Sequence, residues 1–223
     1  MQSAINLILK LLKWPLAILM LVMFVPVFKA DAVLVKSTFN ASFVMHFIAP
    51  MVGMIAIWFV VPGLNGSHLA IFEHEFTHML AALLTFHMPK SMKIEADKGG
   101  SFGYYGAGNW FITLAPYFVP TFPLLMMIGS LLFGCFDMKI PEFYIPSLGM
   151  MFGYHLISNA MQIHGEQTDF SKAGWIFSVL FLPTANLISF GFVWAFAAKN
   201  WAGVASWWNL LLHQTEKVIE QLF

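Results

Sequence analysis

His74-Glu75-Phe76-Thr77-His78 sets two imidazoles four residues apart, with a carboxylate next to the first. On a helix, residues four apart share a face, so His74 and His78 can present two ring nitrogens to one point. Such a pair supplies two of the three protein ligands of a catalytic zinc, whose fourth position is left for water. Glu75, beside the first ligand, is suited to holding that water as a general base. The third ligand must come from elsewhere. The densest polar stretch outside the motif is 154–169. It offers Asp169 first, because a carboxylate anion helps to neutralise the metal, with His164 and Glu166 as alternatives. His155 and Asn159 lie four apart in the same stretch and could line one cavity, Asn159 as a donor to a substrate carbonyl or oxyanion. Plainer roles stand beside these: Asp169 as a helix N-cap and Asn159 as a bridge between helices. Glu73 sits about a hundred degrees round the helix from His74, which favours a hydrogen bond to a neighbour over catalysis.

The motif lies in a very apolar chain. Hydrophobic residues make up 59% of the 223 residues and charged residues 10%, against about 25% charged in a soluble domain; the mean hydropathy is +0.75. The chain therefore reads as an integral membrane protein. There, ionisable side chains are costly and usually functional. The net charge is zero and every basic residue is lysine. No basic face argues for nucleic acid, and phosphate recognition by arginine forks is excluded. The one cysteine, Cys135, excludes an internal disulfide and a cysteine-cluster metal site.

Apolar runs long enough to cross a bilayer fall at roughly 5–28, 42–62, 67–87, 109–134, 143–163 and 173–198. The expected fold is an all-α polytopic membrane protein of about six transmembrane helices. A small membrane-associated β-hairpin follows the HExxH helix, since 92–95 and 101–105 alternate like strands around Gly99-Gly100. The first 28 residues loosely mimic a signal peptide but read as a retained first helix. Pro62–Gly66 reads as a turn with Ser67 as N-cap of the motif helix. Pro116, Pro120 and Pro123 must kink or break the fourth span and free carbonyls beside a cavity. The stretch Val204–Phe223 has helical spacing of Trp208, Leu211, Leu212, Val218, Ile219 and Leu222, and reads as an amphipathic, interfacial or docking helix. This divides the chain into 1–66, 67–198 and 199–223. Lysines count five against six on the two sides of a six-span layout, which leans faintly towards an N-terminus outside.

These residues carry a resemblance. His74–His78 in a transmembrane helix, the polar stretch 90–108 with Gly99-Gly100, and Asn159 followed by Thr168-Asp169 resemble the site-2 protease type of intramembrane metalloprotease, the M50 peptidases. The resemblance covers about 67–198, the three-helix core and its flanks. The family's usual Leu-Asp-Gly is here Thr168-Asp169-Phe170. The resemblance implies a Zn2+ held by His74, His78 and Asp169, Glu75 as the catalytic base, and hydrolysis of a peptide bond in a membrane-protein substrate. It also implies a site towards the cytoplasm, with the hairpin edge taking up an unwound substrate by strand addition. Partners would be that substrate, the lipid bilayer and a membrane partner subunit, without nucleic acid. The lysine-only basic set and the compact size fit a bacterial inner membrane.

Two other readings carry different expectations. One is a non-proteolytic scaffold or complex subunit that keeps the metalloprotease-like fold, permitted by the small size and the amphipathic C-terminal helix. The other is a di-iron lipid enzyme using His74, His78, His87, His155 and His164. That chemistry needs tight histidine clusters with an adjacent pair, and the chain has no His-His.

Overall fold

A computed structural model describes residues 1–61, 68–95, 99–163 and 168–221. The first helix, α1, runs from Gln2 to Thr38. Its first turns carry a polar stripe, Gln2, Asn6, Lys10 and Lys13, in an otherwise apolar helix. The stripe docks on the segment that leaves the hairpin. Gln2 Nε2 donates to the Tyr105 carbonyl (2.8 Å), Asn6 Nδ2 to that of Ala107 (2.6 Å), and Trp110 Nε1 to that of Leu9 (2.8 Å).

The second span is α2 (Ala41–Phe43), a π-helical turn (Val44–Ile48) and α3 (Ala49–Val60). Pro50 has no N–H to return to His46, and the Ala49 N–H bonds five residues back, to Val44. The motif helix α4 is His68–Leu84. The hairpin follows as β1 (Pro89–Glu95) and β2 (Gly99–Tyr104), antiparallel with Met92 opposite Phe102 and a bulge between Pro89 and Ser91. The expected turn at 62–66, the Ser67 cap and Asp97-Lys98 lie outside the described residues.

The expected break in the fourth span is an 89° bend. On one side lie α5 (Trp110–Leu114) and a 3-10 turn (Ala115–Tyr117); on the other is α6 (Thr121–Cys135). The freed carbonyls are satisfied by neighbouring helices. Asn159 Nδ2 and Asn186 Nδ2 donate to Tyr117 O at 2.7 and 2.9 Å, and the Ser189 hydroxyl donates to Phe118 O. Helix α7 (Tyr144–Gln162) packs on the second span through Gly149 and Gly153, where a Cβ would run into the carbonyl oxygens of Phe47 in the π-helical turn and Met51 in α3. A short α8 (Thr168–Ala173) precedes α9 (Trp175–Glu220).

Helix α9 is broken at Lys199 and Asn200, the latter at φ 52°. Before the break it runs alongside α1 in the same direction, with Thr184 bonded to Met20 and Trp194 to Thr38. After it the chain folds back, with Trp207 Nε1 donating to the buried Asp31 (2.8 Å) and Thr215 facing Met23. The main apolar core lies here, where Val27, Ala30 and Leu34 of α1 meet Val193, Phe196, Trp207 and Leu211.

Six spans are not all present as such among the described residues. Three helical stretches, Gln2–Thr38, Ala41–Val60 and Trp175–Glu220, are long and apolar enough to cross a membrane, four if the bent pair counts as one span. Helix α4 is not among them: its 17 residues hold His68, Glu73, His74, Glu75 and His78. Gln2 and Asn6, at the start of α1, bond Tyr105 and Ala107 just after the hairpin, so these two segments lie together. A strict alternation of three crossings before the hairpin would place these two segments on opposite sides of a bilayer.

Candidate metal centre

Helix α4 forms around a polar face that cannot be left in hydrocarbon. His74 and His78 lie one turn apart on that face, their Nε2 atoms 3.2 Å apart. His78 Nδ1 donates to the Ile112 carbonyl at 2.7 Å, which leaves Nε2 as the lone-pair nitrogen turned towards His74. The Gln162 side chain lies beside the His74 ring. Such outer partners fix tautomer and ring orientation, as they do for histidines that ligate metals.

Asp169, in the first turn of α8, comes to the same point. Its Oδ2 lies 3.6 Å from His74 Nε2 and 3.5 Å from His78 Nε2. The ligand atoms of His74, His78 and Asp169 all fall within 4.8 Å of one another. Tyr117 donates its hydroxyl to the same oxygen at 3.1 Å, and Lys172 Nζ approaches the other at 3.8 Å. Two neutral imidazoles and one carboxylate within reach of a single point are the donor set of a catalytic zinc. The residues present fit the metal.

Glu75 is buried, and it lines one cavity of about 240 Å³ with His74, His78 and Asp169. Strand β2 forms another wall. Gly100 lies so close that a Cβ there would stand 2.6 Å from Glu75 Cγ and Oε1. The absence of a side chain lets the hairpin backbone reach the carboxylate.

The other residues singled out from sequence stand elsewhere. His155 faces Glu73 across 3.6 Å, and neither residue lines the cavity. Asn159 spends its amide on Tyr117 O and on Asn186 Oδ1 (3.2 Å), so it supports the wall that carries the Tyr117 hydroxyl. His87 is fully buried at the end of α4 and bonds the Ala107 carbonyl (2.8 Å). His164 and Glu166 lie outside the described residues. Sequence reasoning passed over Tyr117, Asn186 and Gln162. The prolines around Tyr117 were the available signal, because a broken helix needs side-chain donors for its carbonyls.

No curated protein and no solved structure matches the chain. The model of a family described as Peptidase M50B-like does match, over residues 47–160. That segment holds the HExxH helix, the hairpin, the bent pair and Asn159, and ends before Asp169. It is more than half of a helical membrane protein, and the chain belongs to the Peptidase M50B-like family.

Proposed function

We propose that this chain is an intramembrane zinc metalloprotease. It hydrolyses a peptide bond of a membrane-protein substrate, with His74, His78 and Asp169 holding the zinc and Glu75 as general base. One observation carries the reading. Ligand atoms from helices 91 positions apart in sequence meet within 4.8 Å, and a buried carboxylate shares their cavity. Family membership supports it.

Bound there, zinc would supply a Lewis acid that lowers the pKa of water to about 7 and polarises a carbonyl oxygen. The protein residues supply the rest. Glu75 accepts a proton from the attacking water and hands it to the leaving nitrogen, so it must cycle between two protonation states. The His78–Ile112 bond keeps Nε2 free of a proton, and Tyr117 and Lys172 orient the Asp169 carboxylate. A helical substrate hides its carbonyls in its own hydrogen bonds and must unwind first. The edge of β2, beside Glu75 at Gly100, can pair with the extended form. Ser101, Thr113 and Thr168 make the cavity wall polar enough for water. A site facing the cytoplasm, in a bacterial inner membrane, would put the N-terminus in the cytoplasm too.

The test is a co-expressed single-span substrate assayed with wild type and with Glu75→Gln. The proposal expects cleavage by wild type and none by the variant, with zinc bound to both. Cleavage that survives in Glu75→Gln removes this mechanism. Zinc binding without cleavage of any single-span substrate moves the chain to the scaffold reading.

A further inference from the structure

A second cavity, of about 550 Å³, adjoins the metal centre and shares Tyr104, Thr113 and Lys172 with it. Its far wall is the polar stripe of α1. Lys10 and Lys13 line it together with Lys172, so three of the chain's 11 lysines surround one space. Among the described residues no carboxylate lines it. The nearest, Asp169, is engaged by two imidazoles, a tyrosine and Lys172. The asparagines of the wall are occupied as well. Asn6 is bonded to Ala107 and Asn109, and Asn109 caps α5 at Ile112. Lys172 already approaches Asp169 Oδ1 at 3.8 Å, which leaves Lys10 and Lys13, three residues apart on α1, without a carboxylate partner among the described residues. Two ammonium groups beside low-dielectric walls make a site for an anion.

Strand β2 ties this basin to the metal centre. Gly100 stands at Glu75, and Tyr104 stands in the wall common to both cavities. Four residues of strand span roughly 13 Å. An extended chain following β2 with one peptide bond at Glu75 therefore enters the lysine basin two to four residues away.

We propose that the lysine basin is a specificity site for a substrate carboxylate: an Asp or Glu side chain, or a free C-terminus, two to four residues to one side of the scissile bond. This rests on the protease reading for its position along the substrate. Continuity with the metal cavity along β2 favours a peptide over a lipid headgroup.

The test separates the two readings by measuring binding and cleavage independently. Dye-labelled apolar peptides, in pairs that differ only by one Glu or Gln at successive positions, are titrated by anisotropy. The protein is Glu75→Gln in phosphatidylcholine nanodiscs. At one position the Glu peptide is expected to bind about five- to tenfold more tightly at low salt. Lys10→Gln with Lys13→Gln should abolish the difference. Lys10→Gln alone should reduce it, should the double variant not fold. Equal binding of every pair overturns the proposal, as does a preference that survives the lysine substitutions. Loss of the preference in phosphatidylglycerol nanodiscs would assign the basin to lipid phosphate and also overturn it. Charge-selective binding without cleavage by wild type would leave the basin standing and reject the protease reading.

Discussion

Gly100 of the hairpin rests against Glu75 of α4 so closely that no side chain fits between them. The strand thus defines one side of the space in which Glu75 works, and Gly100→Ala must displace either the carboxylate or β2. Misplacement of a catalytic group by about 1 Å can cost a hundredfold in rate. We expect a loss of roughly ten- to a hundredfold in cleavage, with zinc content and thermal midpoint near wild type. Turnover kinetics beside metal analysis check this; full activity in Gly100→Ala would mean that the hairpin does not set the position of Glu75.

Asn159 and Asn186 hold the broken backbone at Tyr117, whose hydroxyl in turn reaches Asp169. Asn159→Ala leaves one donor at that carbonyl, and the expected cost is about 1–2 kcal/mol of stability. Asn159→Ala with Asn186→Ala leaves the carbonyl without either amide, at a cost of about 2–4 kcal/mol. Thermal unfolding in detergent reads this as a stepwise fall in midpoint. A single variant that loses activity at unchanged stability would instead favour Asn159 as an oxyanion donor.

Asp31 is buried in α1 and accepts from Trp207 of the returning helix. Trp207→Phe keeps an aromatic six-membered ring, removes the donor and leaves a small cavity at a buried position. It should destabilise by about 1–3 kcal/mol, and Asp31→Asn, which retains an acceptor without a charge, should cost less. A Trp207→Phe protein with the wild-type thermal midpoint would show that the C-terminal helix is not anchored by this bond.

Gly149 and Gly153 let α7 meet the second span at backbone distance. Gly153→Leu should separate the helices and lower stability by several kcal/mol, as overpacking and lost contact combine. Protease resistance of the membrane-embedded protein is the measurement; an unaltered digestion pattern would contradict the packing.

Much of this was legible in the sequence because the signals were local. His74 and His78 converge because four residues make about one turn. The proline cluster breaks the fourth span, and alternation with Gly99-Gly100 makes a hairpin. The Gly149–Gly153 spacing was a readable helix-contact signal that went unused. Asp169 is different in kind. No spacing carries it to His74; its charge singled it out of the polar stretch 154–169 beside His164 and Glu166, the resemblance to the family supported it, and the fold brings its oxygen within 3.6 Å of His74. The first 28 residues read only as a retained first helix, because nothing in the chain around Gln2, Asn6, Lys10 and Lys13 reveals that this stripe packs on residues a hundred positions away. Helices α4 and α7, expected as spans, are not among the described helices long and apolar enough to cross, because both carry polar residues on buried faces: Glu73, Glu75 and His78 on α4, His155, Ser158 and Asn159 on α7.

The most direct test is zinc stoichiometry of the purified protein, measured for wild type, Glu75→Gln and Asp169→Ala after identical loading and desalting. The account predicts about one zinc per chain in wild type and in Glu75→Gln, and a large loss in Asp169→Ala. Undiminished zinc in Asp169→Ala, or none in wild type, would contradict it.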